Sequence, residues 1–513
     1  MKTKIFMVWC LLAAFVPATA QQKSEKRGVC WDEKTQQFSD APVDRMVPGV
    51  SWIYTWGEAP RGTAANIDAE GGIDFAPMAW GRDFNENAIR NYVKEHKNIK
   101  YLLGFNEPNF SAQANMTPEE AARLWPKLEA IATEYDLRLV SPALNFTGES
   151  VGGRVWGIYD WLDEFIRVYK ADNGRLPKMD CIALHCYMNW YGANTWFVNE
   201  YIYSDIFKNG NDSKYPNIVE VLNAVKEATG QYPRMMLTEF CSWEGNKDGF
   251  VTNEDNQIDQ MTQRIQKMEQ SDLVEGYAWF MANMGGGSAQ NPYNSVFVSN
   301  RADSELSTLG KVFVGMSGFD TSKYYAPGET VMAKDYVDAT TDDRIVRVRP
   351  DSEGAGRAPL QIELTQASSA ATYQIEVAQA GDYTFTLHAK TAGSTLRLSV
   401  GDTSRELAVA ASGDGWADYS VELPLTAGKA SLVVSNASDT PVFLNSLRFV
   451  DSASFGGIAD VESASDVVYA VYDLRGAYVG RFHSLSDANI DSGIYIAVSS
   501  DGTVSKYVVA SPN

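Results

Sequence analysis

Two glutamates draw attention because each is delivered by a short apolar run. Residues 101–107, YLLGFNE, bring Glu107 to the end of one run, and Pro108 stops it; residues 234–240, RMMLTEF, bring Glu239 to the end of another. An ionised carboxylate beside apolar residues is costly unless something uses it. A facing pair suits glycosidic bond cleavage, in which one carboxyl donates a proton to the departing oxygen and the other, ionised, attacks the sugar. Such carboxyls stand about 5–5.5 Å apart in retaining enzymes and about 6.5–9.5 Å apart in inverting ones. Environment must split their pKa values, and each carboxylate helps to raise its partner's. Asn106 offers a neutral amide to a sugar hydroxyl. Strict alternation points Asn106 away from Glu107, so a bulge or twist is expected at this strand end.

The elements that must position these groups follow from patterning. Eight apolar runs occur up to about residue 320: RGVCW, GVSWIYTWG, IDFAPMAWG, NIKYLLGFNE, LRLVSPALN, MDCIALHCY, RMMLTEF and VEGYAWFMA. Helical stretches separate several of them. In TPEEAARLWPKLEAIATEY, Thr117 caps the helix, Pro118 suits its first turn and Glu120 completes a capping box. NEDNQIDQMTQRIQKMEQS carries apolar residues at helical spacing. Eight buried strands with intervening helices predict a (β/α)8 TIM barrel with a degenerate start, since the first two connections are weakly helical.

Barrel enzymes carry their catalytic groups at the carboxyl ends of strands. Glu107 ends the fourth run and Glu239 the seventh, roughly opposite each other. Around them the pattern predicts substrate-binding residues. Asn145 ends the fifth run. His185 and Tyr187 share a face of the sixth, near its end. Trp56, Trp80 and Trp279 end the second, third and eighth runs, and Trp190 and Trp243 lie in the loops after the sixth and seventh. Flat rings at a barrel mouth make stacking platforms for pyranose faces.

Composition narrows the function. The 513 residues carry a formal net charge of -21, which argues against nucleic acid and anionic membranes as partners. Residues 1–20 read as a secretory signal peptide: Lys2 and Lys4, the apolar IFMVWCLLAAFV, then ATA as a cleavage site. No later run has the roughly 18 apolar residues of a membrane span. The expected protein is secreted or held at the cell surface, and monomeric. Cys30, Cys181, Cys186 and Cys241 are too sparse for a disulfide framework and read as buried free thiols. The Cys and His show no metal-ligand spacing, and no cofactor is expected.

Beyond about residue 322 the apolar residues alternate with period two between Gly, Asp and Asn turns, which predicts an antiparallel β-sandwich to about residue 452. After the small-residue linker DSASFGG, VVYAVYDLRGAYVGRF and GIYIAVSSDGTVSKYVVA predict a small β module. The expected division is therefore 1–20, 21–321, 322–452 and 453–513.

With GFNEPN, SPALN, HCYMN, TEFCSW and GYAWFMA, and with SWIYTWG and FAPMAWG upstream, residues 26 to about 315 resemble the catalytic core of glycoside hydrolase family 128. The resemblance implies Glu107 as acid/base, Glu239 as nucleophile, a retaining mechanism and β-1,3-glucan as substrate, most simply cleaved in endo fashion. One departure is Cys241, where glycine often follows the Glu-Phe pair in relatives; a side chain there narrows the site. The alternatives are the same chemistry on another polysaccharide and a surface glycan-binding protein without turnover. The sandwich resembles family 6 carbohydrate-binding modules through VMAKDYVD, AGDYTFTLHAKT, GDGWADYSVELPLTAGKASLVVSN and FLNSLRF, with Trp416 as a candidate ring. The last module, with YDLRG and GIY, resembles the carboxyl-terminal sorting domains of type IX secretion.

Overall fold

The computed structural model describes residues 21–32, 43–61, 72–145, 149–187, 214–242, 253–283, 293–299, 301, 304–341, 345–351, 359–413 and 415–453. It also describes the backbone of four strands between 469 and 509. The signal peptide, Trp190 and Trp243 lie outside the described residues.

Eight strands form one parallel sheet: β1 (Arg27–Cys30), β2 (Trp52–Tyr54), β3 (Asp74–Phe75), β4 (Tyr101–Leu103), β5 (Arg138–Val140), β6 (Cys181–Cys186), β7 (Arg234–Phe240) and β8 (Val274–Trp279). Their order is β3-β2-β1-β8-β7-β6-β5-β4. Just past β3, the Ala79 N–H donates to the Leu103 carbonyl at 3.0 Å and Leu103 N–H donates to Pro77 at 2.8 Å. The two ends of the order therefore meet, and the sheet curls back on itself as a TIM-barrel-like core. Strands buried on both faces read as unbroken apolar runs, as β6 does with all six residues buried. The barrel interior is filled by Cys30, Trp52, Tyr54, Met78, Leu103 and Met236, among others.

Helices follow from the third strand onward: α1 (Glu86–Glu95), α2 (Pro118–Glu134), α3 (Ile158–Asn173), α4 (Pro216–Thr229), α5 (Glu254–Gln270) and α6 (Thr308–Gly315). Among the described residues, the link from β1 to β2 holds only a 3-10 turn, Val43–Met46, and the link from β2 to β3 holds no helix. The barrel thus has the degenerate start expected of it. The capping box at α2 forms as read: Thr117 accepts from the Glu120 N–H, and the Glu120 side chain accepts from the Thr117 N–H. Asn253 caps α5.

Two antiparallel sheets follow. One has six strands, led by Val346–Pro350, Leu360–Leu364 and Val442–Asp451; the other has five, with Ala370–Val377 beside Gly428–Asn436. Burial alternates along them, as in Leu360–Leu364. Helix α5 faces this region: Asp259 pairs with Arg347 at 3.1 Å and with Arg349 at 2.8 Å. The chain divides into two compact units, residues 1–380 with 385–449, and 381–384 with 450–513. In the second, Tyr478–Phe482, Tyr469–Asp473, Gly493–Ser499 and Val504–Val509 pair antiparallel in that order. Among the described residues, no helix is long and apolar enough to cross a membrane. The four cysteines that follow the first 20 residues are buried and free.

Candidate active site

Glu107 and Glu239 come together at the carboxyl ends of β4 and β7. One oxygen of each, with a ring nitrogen of His185, all lie within 4.8 Å of one another, and all three residues are buried. The chain past β4 turns sharply. Glu107 takes a left-handed backbone, φ 45°, and its N–H donates to the Ala143 carbonyl at 2.7 Å. A non-glycine residue in this conformation costs on the order of 1 kcal/mol or more. Trp56 is likewise left-handed, φ 58°. Trp56 bonds Glu239, so both irregular backbones lie at the carboxylate pair, and such outliers cluster at functional sites.

The two carboxylates have different partners. Glu239 Oε1 accepts from Trp56 Nε1 at 2.7 Å and from the Tyr54 hydroxyl at 3.1 Å; Oε2 accepts from the Tyr187 hydroxyl. Donors on both oxygens favour the ionised form, since a protonated carboxyl has less acceptor capacity, and so work against the effect of burial. Burial is the largest influence on Glu239 and pushes its carboxyl above the usual range; the charge of Glu107 adds to this, while His185, Tyr187 and Trp56 pull it down. Burial also pushes the hydroxyls of Tyr54 and Tyr187 well up, so both remain donors.

Glu107 is bound on one side only among the described residues. Its Oε1 accepts from Asn145 Nδ2 at 2.6 Å and lies 2.6 Å from His185 Nδ1. Asn145 is itself held by Asn109, whose Nδ2 donates to the Asn145 carbonyl and whose Oδ1 accepts from the Asn145 N–H. His185 is 1% exposed, and Nδ1 also lies 3.3 Å from Glu239 Oε2. Burial opposes charging of this ring, but Glu239 and Glu107 together raise its pKa. The three side chains have a donor set that could hold a metal ion. Yet 2.6 Å between Nδ1 and Oε1 is closer than two ligands of one tetrahedral ion stand, about 3.3 Å for bonds of 2.0–2.1 Å.

The remaining candidates divide. Asn106 is buried; its Nδ2 donates to Gln113 Oε1 at 3.4 Å, and its Oδ1 has no hydrogen-bond partner among the described residues. Trp56 and Trp80, with Phe84, Arg82 and Glu58, line a cavity of about 270 Å³. Trp279 does not join the rim: it is fully buried, packs on Phe240 and Phe313, and donates Nε1 to the Asn294 carbonyl at 2.8 Å. Strand phase explains the correction. Ala278 faces the barrel interior, so Trp279 points outward toward α6. The next residue, Phe280, meets Trp56 and Tyr187 instead.

Sequence reading passed over Tyr54, Asn109 and Thr238. The signal for Tyr54 is present in SWIYTWG, where period two puts Trp52, Tyr54 and Trp56 on one face. No local pattern marks the other two.

Comparison with known proteins gives a consistent family. Residues 28–313, more than half of the chain, match the family model described as glycosyl hydrolase catalytic core. No curated protein matches. Similar solved structures include two family 128 subgroup II endo-β-1,3-glucanases. The one from Pseudomonas viridiflava is 29% identical, with 57% of this chain and 98% of that one covered and a TM-score of 0.42. The one from Sorangium cellulosum is 25% identical, with 56% and 98% covered and a TM-score of 0.40. A subgroup I endo-β-1,3-glucanase from Amycolatopsis mediterranei, in complex with laminaripentaose, is 25% identical, with 57% and 99% covered and a TM-score of 0.38. The chain belongs to the glycosyl hydrolase catalytic core family, and it is a glycoside hydrolase.

Proposed function

We propose that the protein is a retaining endo-β-1,3-glucanase in which Glu239 is the nucleophile and Glu107 the acid/base. The observation that carries this reading is that one oxygen of each carboxylate comes within 4.8 Å of the other. So close an approach favours the spacing of retaining enzymes, about 5–5.5 Å between carboxyl groups, over the wider one of inverting enzymes. Their partners support the division of roles. Glu239, braced by Trp56, Tyr54 and Tyr187, is held as an anion to attack the anomeric carbon. Glu107 gives its proton to the departing oxygen as the C–O bond breaks, leaving a glycosyl ester on Glu239. In the second half, Glu107 takes a proton from water as the water oxygen bonds to the anomeric carbon and the ester bond breaks. The rings of Trp56 and Trp80, which line a cavity, receive the sugar.

β-1,3-Glucan as substrate rests on the motif resemblance over residues 26–315. On the same footing we infer export through the leader at 1–20. The two antiparallel sheets, with their alternating burial, are read as a carbohydrate-binding β-sandwich spanning 322–452. The final sheet is read as a sorting module, 453–513.

Incubating the purified protein with a panel of β-glucans and galactans, and sizing the products, tests the substrate. A ladder of laminari-oligosaccharides is expected. Release from a galactan but from no glucan would replace the substrate while keeping the chemistry; no release from any polysaccharide would favour a binding protein.

A further inference from the structure

Strand β7 is irregular where it matters most. Against β6, Leu237 pairs with Leu184, but the next pair is Glu239 with His185, so Thr238 is an extra residue. The register against β8 shifts at the same place. A bulge of this kind frees consecutive side chains from strict alternation. Thr238 and Glu239 both reach His185: Thr238 Oγ1 lies 3.1 Å from Nε2, and Glu239 Oε2 lies 3.3 Å from Nδ1. The Tyr54 hydroxyl shares its one proton between the Thr238 carbonyl, at 2.8 Å, and Glu239 Oε1, at 3.1 Å.

We propose that Thr238 is a positioning residue for the acid: by pairing with Nε2 of His185 it keeps a proton on Nδ1, and this directs the acidic proton of Glu107 to its other oxygen, Oε2. The inference rests on the roles proposed for the two glutamates.

The argument is one of donors and acceptors. A threonine hydroxyl can do both. When the ring is neutral, the hydroxyl donates to Nε2, which places the ring's one N–H on Nδ1. When the ring is charged, the hydroxyl accepts from Nε2–H, and Nδ1 again carries a proton. At 1% exposure the ring has no solvent to substitute for this partner. In both states Nδ1–H faces Oε1 of Glu107 at 2.6 Å, alongside the Asn145 amide, also at 2.6 Å. Two donors on Oε1 exclude a proton from it. The acidic proton then sits on Oε2, which makes no hydrogen bond among the described residues. As the glycosidic oxygen leaves, it takes this proton, and the carboxylate that remains is still held by both donors. Without the hydroxyl, the ring can carry its proton on Nε2. Nδ1 then becomes an acceptor, and the Glu107 proton is drawn to Oε1, the oxygen that Asn145 also holds.

The test compares Thr238→Val with Thr238→Ser on a laminari-oligosaccharide and on an aryl β-glucoside with an activated leaving group. The valine variant is expected to lose about 10- to 100-fold on the oligosaccharide, the scale of one buried hydrogen bond to a charged group. It should lose much less on the aryl substrate, which needs little protonation. The serine variant should restore the oligosaccharide rate. An equal loss on both substrates, or no rescue by serine, would overturn the assignment and leave Thr238 a packing residue. If Thr238→Val does not fold, the serine variant and the pH profile of Thr238→Cys decide: a thiol, a weak donor and acceptor, should give the same leaving-group-dependent loss. Failure of the underlying roles reads differently, as unchanged turnover in Glu107→Gln or Glu239→Gln.

Discussion

Glu239→Gln is expected to keep the fold and to lose hydrolysis by about 10⁴-fold or more, the scale on which removal of a covalent nucleophile is felt. The substitution preserves shape but removes the charge. It also turns an amide toward Trp56 Nε1 and the hydroxyls of Tyr54 and Tyr187, which bind both oxygens of the native carboxylate. A glutamine can accept on one side only, so one donor set is left facing an N–H. Stability should fall by roughly 1–3 kcal/mol for the donor left unpaired. Circular dichroism and denaturant melting would show the fold retained, and initial rates on laminarin would show the loss. Native-like turnover would remove Glu239 from the chemistry.

Glu107→Gln is expected to cost about 10²–10⁴ on polysaccharide, the usual contribution of a positioned general acid. The loss should depend on the leaving group. With an aryl glycoside whose phenolate departs unaided, the first half-reaction should run close to normal, and the slow step should become hydrolysis of the ester, where Glu107 serves as base. A burst of phenol followed by slow turnover is the kinetic sign. An equal loss with every leaving group, without a burst, would contradict the acid role. The amide keeps its carbonyl for Asn145 and His185, so the surrounding bonds need not rearrange.

The sequence shows strand ends well and side-chain direction poorly. Glu107 and Glu239 are visible because a charge at the end of an apolar run has no core explanation. Tyr187 was placed correctly near Glu239 by counting along β6, which is regular up to His185. Trp279 stands away from the rim because its neighbour in β8, Ala278, faces inward, and one step of phase sends the indole to α6 and brings Phe280 to the site. Alternation calls for a bulge or twist near Glu107, but the left-handed turn found there, with the N–H bonded to Ala143, depends on a segment just past β5, 36 residues further along. Thr238 was illegible for a related reason. A bulge is set by the pairing of β7 with two neighbours at once, and nothing within RMMLTEF announces it.

The most direct test is to trap the ester. Reaction with a laminaribiosyl donor fluorinated at C2 and carrying an activated leaving group slows both half-reactions but the second more, so the intermediate accumulates. Mass spectrometry of the digested protein should then find one disaccharide added to the peptide that contains Glu239. Sugar attached to Glu107, or full turnover with inverted product and no covalent adduct, would contradict the assignment.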